Sequence, residues 1–146
     1  MTALIGLFTA ALVAATLLPA QSEAVLVTLV LSGSHPVWLL WLVATVGNVL
    51  GSVINWALGR TFSHSAGRRW FPASPARLEQ ATRWYSRWGR WSLLASWVPI
   101  IGDPLTVVAG ILREPLWRFV VMVALAKGGR YLVLIAGALW LERRMG

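Results

Sequence analysis

The sequence predicts an all-α integral membrane protein with two re-entrant helical hairpins, two long transmembrane helices and an amphipathic cytoplasmic helix. Three observations predict it. Hydrophobic residues make up 58% of the chain and charged residues 12%, about half the charged fraction of a soluble domain. Two apolar segments are long enough to span a bilayer. A shorter apolar segment, broken by a proline and an acid, precedes each of them. The 146 residues form one membrane domain, 1–146.

The broken segment of the second half runs over residues 91–112. It contains Pro99 and Pro104, with Gly102 and Asp103 between them. Prolines inside such a run remove backbone donors and disfavour a continuous helix, and each remaining part is too short to cross a bilayer. We therefore predict two half-helices that meet at an unwound tip carrying Asp103.

The first half has the same organisation. Apolar residues 3–18 are followed by Pro19, by Glu23 four residues later, and by a second apolar run over 24–31. We predict a second re-entrant hairpin, with Pro19 and Glu23 at its tip.

The two halves repeat with a regular offset. The proline and the acid of the first hairpin precede those of the second by eighty residues. One span separates the hairpins, so they would enter the membrane from opposite sides. We predict an inverted repeat with halves at about 1–60 and 91–141, an architecture found in many secondary transporters.

The first long span, residues 37–58 with the glycine that follows it, carries small or polar residues at steps of four. These are Gly47, Gly51, Asn55 and Gly59. Such spacing puts them on one helical face and permits close approach of a neighbouring helix. We expect helix packing to be their role.

The second long span, residues 116–141, contains Lys127 and Arg130 on one face. Ionisable residues inside a membrane are costly and tend to mark function. Glu23, Asp103 and these two cations are therefore the predicted substrate- or ion-binding residues. The alternative is that each acid forms a purely structural ion pair with Lys127 or Arg130.

Residues 60–90 form a basic loop with seven Arg and a single acid, Glu79. This density is typical of a cytoplasmic segment between spans and argues against nucleic-acid binding. Within the loop we predict an amphipathic helix that touches anionic lipid headgroups. Its apolar side is formed by Leu78, Ala81, Trp84, Tyr85 and Trp88.

Two re-entrant hairpins would put both termini outside, whereas Arg143 and Arg144 favour an inside C-terminus.

Several functional classes are disfavoured by composition. The chain has no Cys, and its two His, His35 and His64, lack metal-ligand spacing. We find no Ser–His, Cys–His or metal constellation, so we expect neither an enzyme nor a bound cofactor or metal.

Three motifs together resemble the DedA family of membrane proteins, also described as SNARE-associated or VTT-domain proteins. The family's Gly-x-x-x-Gly…Tyr-x-x-Gly-Arg stretch, its Arg-Phe-x-Pro-Gly-x-Arg…Ala-Gly hairpin and its first Pro…Glu hairpin have counterparts here. The counterparts are Gly47-x-x-x-Gly51…Trp56-x-x-Gly59-Arg60, Trp97-x-Pro99 with Ala109-Gly110, and Pro19…Ser22-Glu23. The short length and the Ser-Trp-x-Pro-x-x-Gly-Asp hairpin resemble one branch of that family.

The resemblance implies lipid translocation, including undecaprenyl phosphate recycling, with proton coupling through acids and anion binding through arginines. This chain keeps Glu23 and adds Asp103, but Ser96 and Gly102 replace the two hairpin arginines. Ser52 stands where many members have an acid. Lys127 and Arg130 are the candidates for the missing positive charge.

The leading hypothesis is a multi-pass inner-membrane transporter or lipid flippase that uses acids at the hairpin tips. Its partners would be membrane lipids, a lipid or small-solute substrate and protons; homo-oligomerisation is left open. The alternative is a non-transporting membrane protein that supports envelope integrity or assembly.

Overall fold

The described part of the chain, residues 1–14, 19–61, 75–97 and 102–146 of a computed structural model, is helical and contains no strand. Its elements are six α-helices and one 3₁₀ helix. In order they are α1 (Thr2–Ala14), α2 (Pro19–Ser32), α3 (Val37–Thr61), α4 (Pro75–Trp88), the 3₁₀ helix (Gly89–Trp97), α5 (Gly102–Ile111) and α6 (Leu116–Met145). The all-α prediction is confirmed for these residues. The helices α3 and α6 are long and apolar enough to cross a membrane.

The predicted hairpin tips lie partly inside helices. The helix α2 begins at Pro19, so Glu23 lies within it rather than in an interruption. The helix α5 begins at Gly102, so Asp103 occupies its first turn. Proline is tolerated in a first helical turn because those N–H groups have no intrahelical partner, which is why Pro19 and Pro104 do not break these helices.

Pro99 lies outside the described residues, in the gap between 97 and 102. The segment before that gap is a 3₁₀ helix from Gly89 rather than the predicted α-helical half over 91–98. The re-entrant hairpins and the inverted repeat stay predictions.

Contacts between helices follow the same pattern in both halves. The first element of each half packs on the long helix of its own half: α1 on α3, and the 3₁₀ helix on α6. The second element packs on the long helix of the other half, α5 on α3 and α2 on α6, and α2 also contacts α3 of its own half. The two long helices also contact each other. Glu23 and Asp103 therefore each lie on a short helix that packs on the long helix of the other predicted half.

The face of α3 with Gly47, Gly51, Asn55 and Gly59 is buried. A methyl group added at Gly47 would lie 2.7 Å from the carbonyl oxygen of Phe8 in α1. The same face continues to Gly59, which meets the backbone of α5. The glycines therefore let two different short helices approach one long helix closely.

A neighbouring face of α3 presents a row of exposed aliphatic side chains at steps of four. They are Leu42, Val46, Leu50 and Ile54. An exposed apolar stripe on a helix of spanning length is suited to contact with hydrocarbon.

The amphipathic helix differs from the prediction in how its apolar side is used. Leu78, Ala81 and Tyr85 are buried, and α4 contacts α5 and the 3₁₀ helix. Trp84 and Trp88 remain exposed. The apolar side of α4 is thus divided. One edge packs on the protein, and the other edge, with Trp84 and Trp88, stays exposed.

Candidate functional site

Two ion pairs join the short acid-bearing helices to α6. The Nζ atom of Lys127 lies 2.8 Å from Oδ1 of Asp103, joining α6 to α5. The guanidinium of Arg130 contacts the Glu23 carboxylate, joining α6 to α2. Because positions three apart in a helix share a face, both cations can point into the bundle while their acids come from different halves.

Within each pair the acid is the more accessible member. The side chain of Lys127 is 3% exposed and that of Asp103 is 22% exposed. Arg130 is 12% exposed and Glu23 is 26% exposed. A buried cation without its partner would be costly, whereas an accessible acid can exchange its partner for a proton or another ion.

A hydrogen-bonded network lies next to the ion pairs and is centred on Tyr131. Its hydroxyl shares a 3.0 Å hydrogen bond with the hydroxyl of Ser22, in α2. It also accepts a 3.0 Å hydrogen bond from Nδ2 of Asn48, in α3. A tyrosine hydroxyl has one proton, so donation to Ser22 and acceptance from Asn48 satisfy both bonds. Tyr131 therefore ties α2 and α3 to the helix that carries the cations.

A second network reaches Asp103 from α3. The hydroxyl of Thr106 donates to the carbonyl oxygen of Asp103 at 2.6 Å and accepts from Nδ2 of Asn55 at 3.3 Å. Ser52 is buried between the two asparagines and donates to the carbonyl oxygen of Asn48 at 3.1 Å. A polar seam, defined by Asn48, Ser52 and Asn55 of α3 and by the two cations and Tyr131 of α6, thus crosses the apolar bundle.

The structure brings the four predicted ionisable residues into this arrangement as two separate pairs. Of the predicted tip residues, Pro19 and Gly102 begin helices, Pro104 is buried in the first turn of α5, and Pro99 lies outside the described residues. Asn55, predicted as a packing residue, also donates a hydrogen bond toward α5.

Sequence reasoning missed Tyr131 and Thr106 as parts of the site. A signal for Tyr131 was available, since it lies four residues after Lys127 and shares its face. Asn48 and Asn55 are seven residues apart, with Ser52 between them, which also marks one helical face. No comparable signal identified Thr106, because its role depends on where α5 meets α3.

We expect Tyr131→Phe to lower the free energy of unfolding by about 1–3 kcal/mol, the range for a buried group that loses its hydrogen-bond partner. Asn48 would lose the acceptor that its Nδ2 contacts. Denaturant unfolding of purified protein in detergent measures this. In an Asn48→Ala background the same change should cost clearly less; an equal cost would show that the hydroxyl acts elsewhere.

The chain was compared with known proteins and families. The VTT domain model matches residues 18–138, which include both ion pairs. The chain belongs to the VTT-domain family. This agrees with the resemblance to the DedA family read from the sequence.

Similar proteins extend over nearly the whole chain. It is 42% identical over 142 residues to the inner membrane protein YqaA of Escherichia coli, covering 94% of each chain. The YqaA protein of Shigella flexneri matches to the same extent. An uncharacterised protein of Haemophilus influenzae is 32% identical over 140 residues, or 88% of this chain and 83% of that one. No solved structure matches the chain.

These relatives and the two spanning-length helices confirm the predicted location in the inner membrane. YqaA is also the branch of the family that the short length and the Ser-Trp-x-Pro-x-x-Gly-Asp motif resemble.

Ser96 lies in the 3₁₀ helix, at the position where the resemblance to the DedA family places one of the two arginines. It is buried, and its hydroxyl oxygen has no hydrogen-bond partner among the described residues. Within the described structure, the cations that meet the acids instead come from α6.

Proposed function

We propose that this VTT-domain protein translocates an amphipathic lipid across the inner membrane, with Glu23 and Asp103 as its switching charges. The observation that carries the proposal is that two short helices are each joined to α6 by an ion pair. Ion pairs to a shared helix are suited to a switch, because each can open without breaking the other.

Either of two events opens such a pair. A proton on the carboxylate removes its charge, and an anionic headgroup can replace the carboxylate beside the cation. Leaving a buried charge without any partner costs about 3–5 kcal/mol. Opening both pairs at once without substrate is therefore disfavoured, which would limit leakage.

Alternating exposure follows if the pairs open in turn. Glu23 lies on α2 and Asp103 on α5, helices that occupy equivalent places in the two predicted halves. In an inverted repeat these helices approach the membrane centre from opposite sides. Opening the α2 pair and then the α5 pair would expose the polar seam first to one side and then to the other.

A groove between α3 and α6 supports a lipid rather than a soluble solute as substrate. Its volume is about 580 Å³ and its lining includes Trp41, Thr45, Gly128 and Gly129. The two glycines lie between Lys127 and Arg130 in sequence, and the lining is mainly apolar. An acyl chain could lie in this groove while the headgroup follows the polar seam.

The wall of the groove contains a hydrogen bond that bridges α3 and α6 and a buried hydroxyl oxygen without a partner among the described residues. The indole N–H of Trp41 donates to the carbonyl oxygen of Gly128 at 2.9 Å, bridging α3 and α6. The hydroxyl oxygen of Thr45 is buried and has no hydrogen-bond partner among the described residues. A headgroup oxygen passing between the helices would give this hydroxyl a partner, which buried polar groups otherwise require.

The second candidate function is a non-transporting membrane protein that supports the envelope by contact. One observation favours it: the four intramembrane charges pair with one another, as a purely structural site would.

The experiment is a leaflet-exchange assay in proteoliposomes with fluorescent phosphatidylglycerol and phosphatidylethanolamine. A membrane-impermeant quencher reaches only the outer leaflet unless the protein moves lipid. We expect deeper quenching with the wild-type protein than with protein-free vesicles. The matched control is Asp103→Asn/Lys127→Met, which removes one pair without leaving a charge. Quenching equal to protein-free vesicles for the wild type would favour the second candidate.

A further inference from the structure

A cleft lined largely by tryptophans lies between α4 and the 3₁₀ helix, away from the polar seam. We call it the tryptophan groove; its volume is about 330 Å³. Its lining residues are Trp84, Trp88, Trp91, Ser92, Leu94 and Ala95. A second recess of about 620 Å³ shares Trp84 and Trp88 with it and adds Arg83 and Arg87. An apolar cleft thus continues into a basic one.

Side chains other than the tryptophans are the buried ones of α4. That helix is held by the buried side chains of Leu78, Ala81 and Tyr85. The Tyr85 hydroxyl also donates to Oε2 of Glu114 at 2.6 Å, which joins α4 to the turn before α6. Trp84 and Trp88, in contrast, are 39% and 58% exposed. Their large apolar surfaces are left for contact with something outside the described protein.

The shape of the groove is fixed by the turn that follows α4. Gly89 has a φ of +61°, which glycine adopts readily, and the chain turns there into the 3₁₀ helix. The hydroxyl of Ser92 then donates to the carbonyl oxygen of Trp84 at 3.0 Å. This bond joins the 3₁₀ helix to α4 beside the groove, so a ligand would meet a preformed surface, which lowers the entropic cost of binding.

The charges beside the groove favour an anion. Arg83 and Arg87 lie one helical turn apart, and Arg87 lies over the ring of Trp88 with its Cζ 5.4 Å from the centroid. Glu79 contacts Arg83 at 3.4 Å in an exposed pair, which is worth little in water. Arginine binds phosphate through its planar fork of donors, and tryptophan prefers the level of lipid headgroups.

We propose that the tryptophan groove is a binding site for one anionic phospholipid. An acyl chain lies along Trp84, Trp88 and Trp91, and the phosphate meets Arg83 and Arg87. The site is separate from the ion pairs and does not depend on lipid translocation. It would hold α4 against the predicted cytoplasmic leaflet, where anionic lipids attract basic segments.

Native mass spectrometry of the full-length protein, with phosphatidylglycerol or phosphatidylcholine of the same acyl chains, tests this site. We expect the wild-type protein to prefer phosphatidylglycerol. Arg83→Gln/Arg87→Gln should lower that affinity about thirtyfold, since each of the two basic residues near an anionic surface contributes about 1 kcal/mol and about 1.4 kcal/mol is a factor of ten. Phosphatidylcholine binding should change little.

The matched control is Arg143→Gln/Arg144→Gln at the end of α6. It removes the same charge, and Arg144 there also lies over a ring, that of Trp140, at 4.8 Å. This control should keep the preference for phosphatidylglycerol. An equal loss in both double variants would overturn the proposal, because it would reduce the effect to net charge.

A second variant, Trp84→Leu/Trp88→Leu, tests the apolar part. These side chains are exposed, so the protein should fold, and lipid binding should fall several-fold. A change from dimer to monomer in this variant, with phosphatidylglycerol affinity unchanged, would instead assign the groove to a second copy of the chain.

Discussion

Lys127→Met is expected to be among the most destabilising single substitutions in the chain, lowering the free energy of unfolding by about 3–5 kcal/mol. Lys127 is buried and its Nζ contacts Asp103 at 2.8 Å. Without it the carboxylate would lie at the edge of an apolar bundle with no cation in contact among the described side chains. Denaturant unfolding in detergent gives the magnitude.

The double variant Asp103→Asn/Lys127→Met separates this explanation from simple loss of packing. With no charge left uncompensated, most of the stability should return, because well-packed neutral residues can replace a buried pair at little cost. If the double variant is as unstable as Lys127→Met alone, the lysine stabilises the protein through something other than this pair.

Gly59→Ala and Gly110→Ala are expected to have the second largest effect, because these glycines let the backbones of α3 and α5 touch. A methyl group at Gly59 would overlap the carbonyl oxygen of Val107, and one at Gly110 would overlap that of Trp56. Backbone atoms cannot rotate away, so the helices must separate. Overpacking of this kind costs about 1–3 kcal/mol and occasionally more.

Gly129→Ala and Gly137→Ala are the matched controls, since a methyl group at either position meets nothing within 4 Å. Both lie in α6, where alanine is favoured over glycine by about 1 kcal/mol. Their melting temperatures should be equal to or above that of the wild type. A loss comparable to that of Gly59→Ala would mean that these glycines are needed for flexibility rather than for space.

Hydropathy and small-residue spacing were sufficient to predict the two long helices and the buried face of α3, because both depend on local periodicity. The intramembrane charges were also visible, as isolated ionisable groups in apolar runs. The sequence leaves their pairing open, because Lys127 and Arg130 share one face and only tertiary packing determines which acid each cation contacts.

The prediction from sequence does not include the helix starts at Pro19 and Gly102, because it treats proline as an interruption although proline is compatible with a first turn. The sequence also does not predict that only part of the apolar side of α4 is buried. Trp84 and Tyr85 are adjacent in sequence, and which of them is buried depends on where α5 packs. The role of Thr106 likewise depends on tertiary packing, since its hydroxyl in α5 accepts a hydrogen bond from Asn55 in α3.

The most direct test of the central claim measures lipid translocation and melting temperature on the same preparations of Glu23→Gln and Asp103→Asn. If the acids are switching charges, both variants should be inactive, and neutralising the partner cation as well should restore stability but not translocation. Asp103→Glu should keep part of the activity with a shifted pH optimum. If translocation is lost only in proportion to stability, and neutralising the partner cation restores both, the ion pairs are structural and the proposed mechanism is wrong.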